Sequence, residues 1–171
     1  YLTLILTNVI VLTQADIEIK TADAYKVYDG QTLSNNDWSI SKGFLAQNHV
    51  VEMIFTGSQT DAGTSKNTAE VKIKTVNGKD VTKNYNITLI PGNLTVGKKP
   101  ISIQSSSDEK EYDGTSITAS GYKITEGELA SDHSLVVNYK GSQVDVGTST
   151  CSADINVINS KGINVTDEYA I

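Results

Sequence analysis

Two histidines, one cysteine and a few recurring carboxylates are the side chains of this sequence whose types could support chemistry. His49 and His133 each close a Leu-Ala-x-x-His run. A zinc centre gathers about four nitrogen, sulfur or carboxylate ligands, and neither histidine has a second His, a Cys or an acidic cluster at ligand spacing. Both read as turn or strand-edge residues. Cys151 is the only cysteine, so it can form no internal disulfide and no multi-cysteine metal site. It reads as an edge thiol on the solvent side. The chain also lacks a Gly-x-Ser-x-Gly nucleophile elbow.

Asp29 and Asp113 stand directly before Gly30 and Gly114, while Asp61 and Asp145 lie two residues before Gly63 and Gly147. Calcium takes about six to eight oxygens, usually from closely spaced acids, and no Asp-x-Asp-x-Asp-Gly loop occurs. These Asp–Gly pairs are read instead as turn motifs, the carboxylate capping a turn whose glycine takes a positive φ. Tyr28 and Tyr112, just ahead of the turns, read as core rings, as do Tyr85 and Tyr169, with hydroxyls hydrogen-bonded at an edge. Trp38, with Tyr122 at the matching place 84 residues on, is a candidate ligand-contact aromatic, against the plainer reading of a packed ring. Lys26 and Lys110 are the only lysines 84 residues apart. They are the testable candidates for a Lys–Asn or Lys–Asp cross-link, against a solvated side chain. No catalytic residue, cofactor or metal is implied.

The elements that must position these residues are strands. Of 171 residues, Val, Ile and Thr supply 51, and β-branched types favour pleated surfaces. All fourteen cations are Lys, there is no Arg, and the net charge is −6. That weighs against nucleic-acid recognition, which leans on a basic face and forked guanidinium contacts. The apolar stretch Leu2–Leu12 is broken by Thr3, Thr7 and Asn8. It is too short to span a bilayer and lacks a signal peptide's basic start. The chain reads as an interior piece of something longer, with no membrane insertion of this segment.

A repeat with a period of 84 organises the whole sequence. Lys26–Gly30 recurs at Lys110–Gly114, and Gly57-Ser-Gln59 at Gly141-Ser-Gln143. Asp61-x-Gly-Thr-Ser65 recurs at Asp145–Ser149, and Val81-Thr-x-x-Tyr-x-Ile87 at Val165–Ile171. Without a gap, 22 of 62 positions are identical. The expected organisation is a tail strand of a preceding unit over 1–16, then one unit over 17–97 and a second over 98–171. Because the second copy stops before a counterpart of Thr88–Val96, either its closing strand is missing or the phase is 1–84 and 85–171.

Period-two alternation predicts strands at Ile17–Lys20, Val51–Phe55 and Ala69–Ile73, with counterparts at Ile101–Gln104, Leu135–Tyr139 and Ala153–Val157. Tyr85–Leu89 and Leu94–Val96 around Pro91-Gly92-Asn93 read as a closing hairpin, and Gly97–Pro100 as the linker between units. The expected fold is all-β, two tandem small β-sandwich (Ig-like) repeats of about 84 residues. A helical turn at Gly43–Ala46 and Gly127–Ala130 would instead give β-grasp-like units with one short helix.

Lys-x-Tyr-Asp-Gly (Lys26–Gly30), the central Gly-x-x-x-Asp-x-Gly-Thr (Gly57–Thr64) and Asn84-Tyr-x-Ile-Thr-x-x-x-Gly-x-Leu-Thr-Val96 together resemble the tandem YDG/MBG-type repeats of bacterial surface proteins. The resemblance covers nearly the whole chain. Copy two departs from it in having Asp167-Glu168 where copy one has Lys83-Asn84, and its closing motif is unobserved. What the resemblance implies is an extracellular module at the bacterial cell surface, a non-enzymatic stalk or spacer that also serves adhesion. The alternatives are a ligand-binding module for a host glycan or protein, and an accessory domain of a secreted enzyme. The implied partners are neighbouring repeats of the same chain, with strand-mediated self-association if copy two leaves an open edge.

Overall fold

The computed structural model describes residues 8–171, so the first part of the expected tail strand, residues 1–7, lies outside the described residues. Residues 8–14 carry no strand. Among the described residues there are thirteen strands and no α-helix. The first copy contributes β1 (Ala15–Thr21), β2 (Ala24–Val27), β3 (Trp38–Lys42), β4 (His49–Phe55), β5 (Gly63–Lys66), β6 (Ala69–Thr75), β7 (Tyr85–Ile90) and β8 (Asn93–Gly97). The second contributes β9 (Lys99–Ser105), β10 (Tyr122–Gly127), β11 (Ser134–Lys140), β12 (Ser152–Ile158) and β13 (Tyr169–Ala170). Single 3₁₀ turns at Thr82–Asn84 and Thr166–Glu168 lead into β7 and β13. Among the described residues no helix is long and apolar enough to cross a membrane.

The chain divides into two compact units. Unit 1 comprises Tyr1–Asp23, Ser34–Gly57 and Lys66–Asn93. Its central strand β1 pairs antiparallel with β3 and parallel with β7, setting Ile17 beside Ile87 and Ile19 beside Leu89. Parallel strands need a crossover connection, and here the antiparallel β4–β6 pair forms part of it. That pair brings Val51 opposite Ile73 and Met53 opposite Val71. Apolar residues from both sheets meet in one core of Ile17, Ile19, Ile73, Val81 and Tyr85, joined by Ile40, Val51, Met53 and Val71. Each fully buried isoleucine there contributes about 1.5–3 kcal/mol relative to exposure.

Unit 2 comprises Ala24–Leu33, Ser58–Ser65 and Leu94–Ile171. Its sheet β10-β9-β13 and its pair β11–β12 have the same pairing senses as β3-β1-β7 and β4–β6. A further sheet in the order β2-β8-β5 draws on the first copy. Its parallel β2–β8 ladder sets Ala24 beside Leu94 and Lys26 beside Val96. The core of unit 2 is Tyr28, Val96, Ile101, Ala130, Val157 and Tyr169, with Leu33, Ile103 and Leu135 against it. Residues of the first repeat thus complete the core around the second.

Three local expectations are corrected. β7 and β8 form no hairpin: β7 pairs with β1 and β8 with β2. The intervening backbone is tied down elsewhere, because Gly92 N donates to Thr21 Oγ1 (2.9 Å), Asn67 N to the Gly92 carbonyl (2.8 Å) and Asn93 N to Asp23 Oδ1 (2.6 Å). A Cβ on Gly92 would stand 2.5 Å from the Ala22 carbonyl oxygen, so only glycine passes there. The helical turn at Gly43–Ala46 and Gly127–Ala130, on which the β-grasp-like alternative rested, is absent. Gly43 and Gly127 both have φ +76°, which breaks a right-handed helix where it would start. Lastly, Gly97–Pro100 is no separate linker: only Lys98 lies between β8 and β9, and Pro100 sits in β9.

Candidate functional site

The recurring histidines are placed at strand starts and meet a partner that sequence patterning did not assign. Asn48 and Asp132, each with φ 62°, turn the chain directly before His49 and His133. From across the unit, the 3₁₀ turns bring Tyr85 and Tyr169 to them. The Tyr85 hydroxyl lies 2.6 Å from His49 Nδ1 and accepts from Ala46 N at 2.9 Å. The Tyr169 hydroxyl repeats this with His133 Nδ1 at 2.7 Å and Ala130 N at 2.9 Å. The signal available in the sequence was that each His–Tyr pair recurs at one spacing in both copies. Each triad of backbone amide, phenol and imidazole ties a loop to a core ring. Among the described residues no three His, Cys, Asp or Glu side chains gather where they could hold a metal ion.

The two Tyr-Asp-Gly turns are built alike. Asp29 Oδ1 accepts from Gln31 N (2.9 Å) and from Lys26 Nζ (2.6 Å), and Gly30 takes φ +79°. Asp113 Oδ1 accepts from Thr115 N (2.9 Å) and the Thr115 hydroxyl (2.7 Å), with Lys110 Nζ at 2.7 Å and Gly114 again at +79°. The bond from Lys26 holds the Asp29 carboxyl below the usual carboxylate range, helped by the Gln31 amide. Lys110, then Thr115, hold Asp113 well below that range. Both lysines therefore sit in their own turns. At the second turn pair the brace is Gln rather than Asp: Gln59 Nε2 donates to the Asp61 carbonyl and Gln143 Nε2 to that of Asp145, each at 2.7 Å. Gly63 and Gly147 follow with φ +150° and +153°.

The aromatic positions separate. Tyr28 is buried at 5% exposure and Tyr112 stands at 62%, so the core-ring expectation fails for Tyr112. Nothing in unit 2 does for Tyr112 what Val96, Tyr169 and Ala130 do for Tyr28. Trp38, at the start of β3, and Tyr122, at the start of β10, are 38% and 43% exposed. Tyr122 borders a small cavity of about 150 Å³ with Ile103, Val137 and Tyr139. The Tyr139 hydroxyl is buried without a hydrogen-bond partner among the described residues, and burial raises its pKa. Cys151 is half-buried, its sulfur 3.9 Å from Ser105 Oγ.

A broad concavity lies in unit 2. The counterparts of β2 and β5, residues 108–111 and 147–150, carry no ladder. Between them opens a groove of about 830 Å³, lined among others by Asp108, Lys110, Tyr112, Val144, Thr148 and Cys151. No family model, curated protein or solved structure matches this chain. The arrangement of its own side chains therefore carries the functional reading.

Proposed function

We propose that this chain is a non-enzymatic extracellular module of a bacterial surface protein, a stalk or spacer with a role in adhesion, built from tandem small β-sandwich (Ig-like) repeats of the YDG/MBG type. One observation carries this reading. Three pairs of polar residues that recur at a spacing of 84 are bonded into their own fold: Lys26 and Lys110 to turn aspartates, Gln59 and Gln143 to turn carbonyls, and His49 and His133 to buried phenols. Thr82 and Thr166 follow suit, each hydroxyl accepting from a strand amide at 2.9 Å. A repeated catalyst would keep recurring polar groups directed at a substrate. A repeated structural part uses them to fix turns, and an acidic surface without Arg suits a solvated spacer. An antibody raised against the chain should label intact producing cells. Labelling confined to permeabilised cells would overturn the proposal.

A second reading rests on Trp38 and Tyr122, half-exposed aromatics at matching positions, which suit contacts to a host glycan or protein that gain strength by avidity. Trp38→Ala separates the two. Retained stability with lost host-cell binding favours the contact role, and lost stability shows a packed ring.

A further inference from the structure

The outer face of the β2-β8-β5 sheet carries an aromatic ring that the core does not use. Leu94 and Val96 of β8 are buried at 0% and 2% exposure, so the alternation of strand side chains turns Thr95 and Gly97 outward. The β2–β8 ladder sets Tyr25 beside Thr95 and Val27 beside Gly97. Tyr25 is 67% exposed and Val27 41%. On the other flank of β8, the Thr64 hydroxyl of β5 meets that of Thr95 at 3.1 Å. The second copy has Glu109 and Glu111 at the places of Tyr25 and Val27. The repeat scaffold therefore does not call for apolar residues there.

The Tyr25 ring is held in a fixed attitude. A Cβ built on Gly97 would stand 2.6 Å from the Tyr25 hydroxyl oxygen and 3.2 Å from the ring carbons Cε2 and Cζ. The phenol thus runs diagonally along the sheet and rests over Gly97, in space that any other residue would fill with a side chain. Its second face is left open to solvent. An aromatic face is the negative part of the ring's quadrupole and attracts weakly positive C–H groups. Beside it, the Thr64 and Thr95 hydroxyls can each donate and accept. None of Tyr25, Val27, Thr64, Thr95 and Gly97 carries a charge, and the ammonium of the intervening Lys26 is taken by Asp29 Oδ1 and the Gln31 carbonyl. On a chain of net charge −6, an uncharged face of this kind suits a neutral ligand and disfavours an anion.

We propose that this face binds a neutral pyranose sugar. The sugar's C–H groups stack on the open face of Tyr25, and hydroxyls at its rim exchange hydrogen bonds with Thr64 and Thr95. A pyranose offers both features, with C–H groups gathered on one side of the ring and hydroxyls around its edge. An open platform with one stacking ring gives a single sugar a weak hold, with a dissociation constant on the order of 1–10 mM. The site is distinct from the Trp38 and Tyr122 contacts, which belong to β3 and β10. It also stands or falls apart from cell-surface labelling, because sugar binding is read on the purified chain.

Titration of the full chain with methyl β-galactoside and methyl β-glucoside, followed through its backbone amide NMR signals, tests this. Saturable shifts should centre on Tyr25, Val27, Thr64, Thr95 and Gly97. Tyr25→Phe keeps the stacking face and should bind within about twofold, whereas Tyr25→Ala should weaken binding by about tenfold or more. Tyr25→Ala also uncovers Gly97, so a second variant separates lost stability from a lost contact. Gly97→Ala keeps the phenol, but its methyl displaces the ring and should weaken binding as well. Methyl β-glucuronide, which carries a carboxylate where the glucoside has a hydroxymethyl group, should bind more weakly than the glucoside. The absence of saturable shifts up to the solubility limit of the sugars overturns the proposal, as does binding that survives Tyr25→Ala or Gly97→Ala. Shifts centred on Trp38 or Tyr122 overturn it by moving the sugar to those aromatics. A glucuronide held as tightly as the glucoside also overturns it, by giving the hold to the neighbouring Lys98 cation rather than to the ring.

Discussion

Tyr28 meets Tyr169 edge-on, with ring centroids 6.1 Å apart and planes 70° apart, and both rings are buried in the core of unit 2. One belongs to the first copy's Tyr-Asp-Gly turn, the other to the second copy's closing Tyr-x-Ile. The pairing separates two tyrosines that share the same Lys-x-Tyr-Asp-Gly motif. Tyr28→Ala should destabilise unit 2 by about 3–5 kcal/mol, the usual cost of emptying a buried aromatic site. Tyr112→Ala should stay within about 0.5 kcal/mol, as exposed substitutions do. Urea unfolding of the two variants checks this, and equal losses would contradict the assignment of Tyr28 to a shared core.

The phenol bridges should show the same asymmetry more gently. Tyr169→Phe removes the acceptor for Ala130 N, a buried amide that then goes unpaired, at a cost of about 1–3 kcal/mol. Tyr85→Phe removes the acceptor for Ala46 N, but Ala46 is exposed and water can replace the bond. Its cost should fall at the low end of the same range. Thermal melts of the two variants at one pH give the comparison, and a larger loss for Tyr85→Phe would sink it.

Strand positions were legible because β1, β4 and β6 and their counterparts each present alternating residues to one core. Alternation reports which face is buried but not which strand lies alongside. That is why Tyr85–Leu89 and Leu94–Val96, apolar on both sides of a Pro-Gly turn, looked like a hairpin although β7 lies parallel to β1. The deciding contacts, Gly92 N on Thr21 and Asn93 N on Asp23, are long-range and leave no local mark. The Asp-Gly turns were readable because Asp29 and Asp113 act on their own neighbours two residues on. Tyr112 was misread for the converse reason: the surroundings that bury Tyr28 come from elsewhere in the chain.

Two pH limits follow from the shifted groups. Burial raises the pKa of Tyr28 and Tyr169 above the ordinary phenol value of about 10. The folded state then holds these protons more tightly than the unfolded chain. Their contribution is complete below about pH 10 and is lost as pH climbs through the raised values. Asp29 and Asp113 are lowered, so the unfolded chain takes up protons first. Their contribution is present above about pH 4 and fades as pH falls toward the depressed values. Chemical denaturation across pH should show a plateau through neutrality with losses at both ends. Tyr28→Phe should flatten the alkaline limb, and an alkaline limb left unchanged in Tyr28→Phe and Tyr169→Phe would refute the tyrosine origin.

Asn67 and Cys151 occupy matching positions, and only the first is bound into its unit. The Asn67 side chain is fully buried, its amide nitrogen donating at 2.9 Å to both the Ala22 and Asn35 carbonyls, while the main-chain carbonyl of Asn67 accepts from the Thr21 hydroxyl at 2.6 Å. These bonds hold the end of β1 and the approach to β3 around the backbone of Gly92. Asn67→Cys keeps the side chain small but removes both amide donors, leaving two carbonyls unpaired at a cost of about 1–3 kcal/mol each unless water enters. Cys151 is half-buried beside the open groove, and Cys151→Ser should change stability by less than about 0.5 kcal/mol. Hydrogen exchange gives the sharper test. In Asn67→Cys the Gly92 and Asn93 amides should lose protection while those of β4 and β6 keep theirs, because the buried amide anchors the crossing segment rather than the β4–β6 pair. Uniform loss of protection across unit 1 would instead make Asn67 a general core residue.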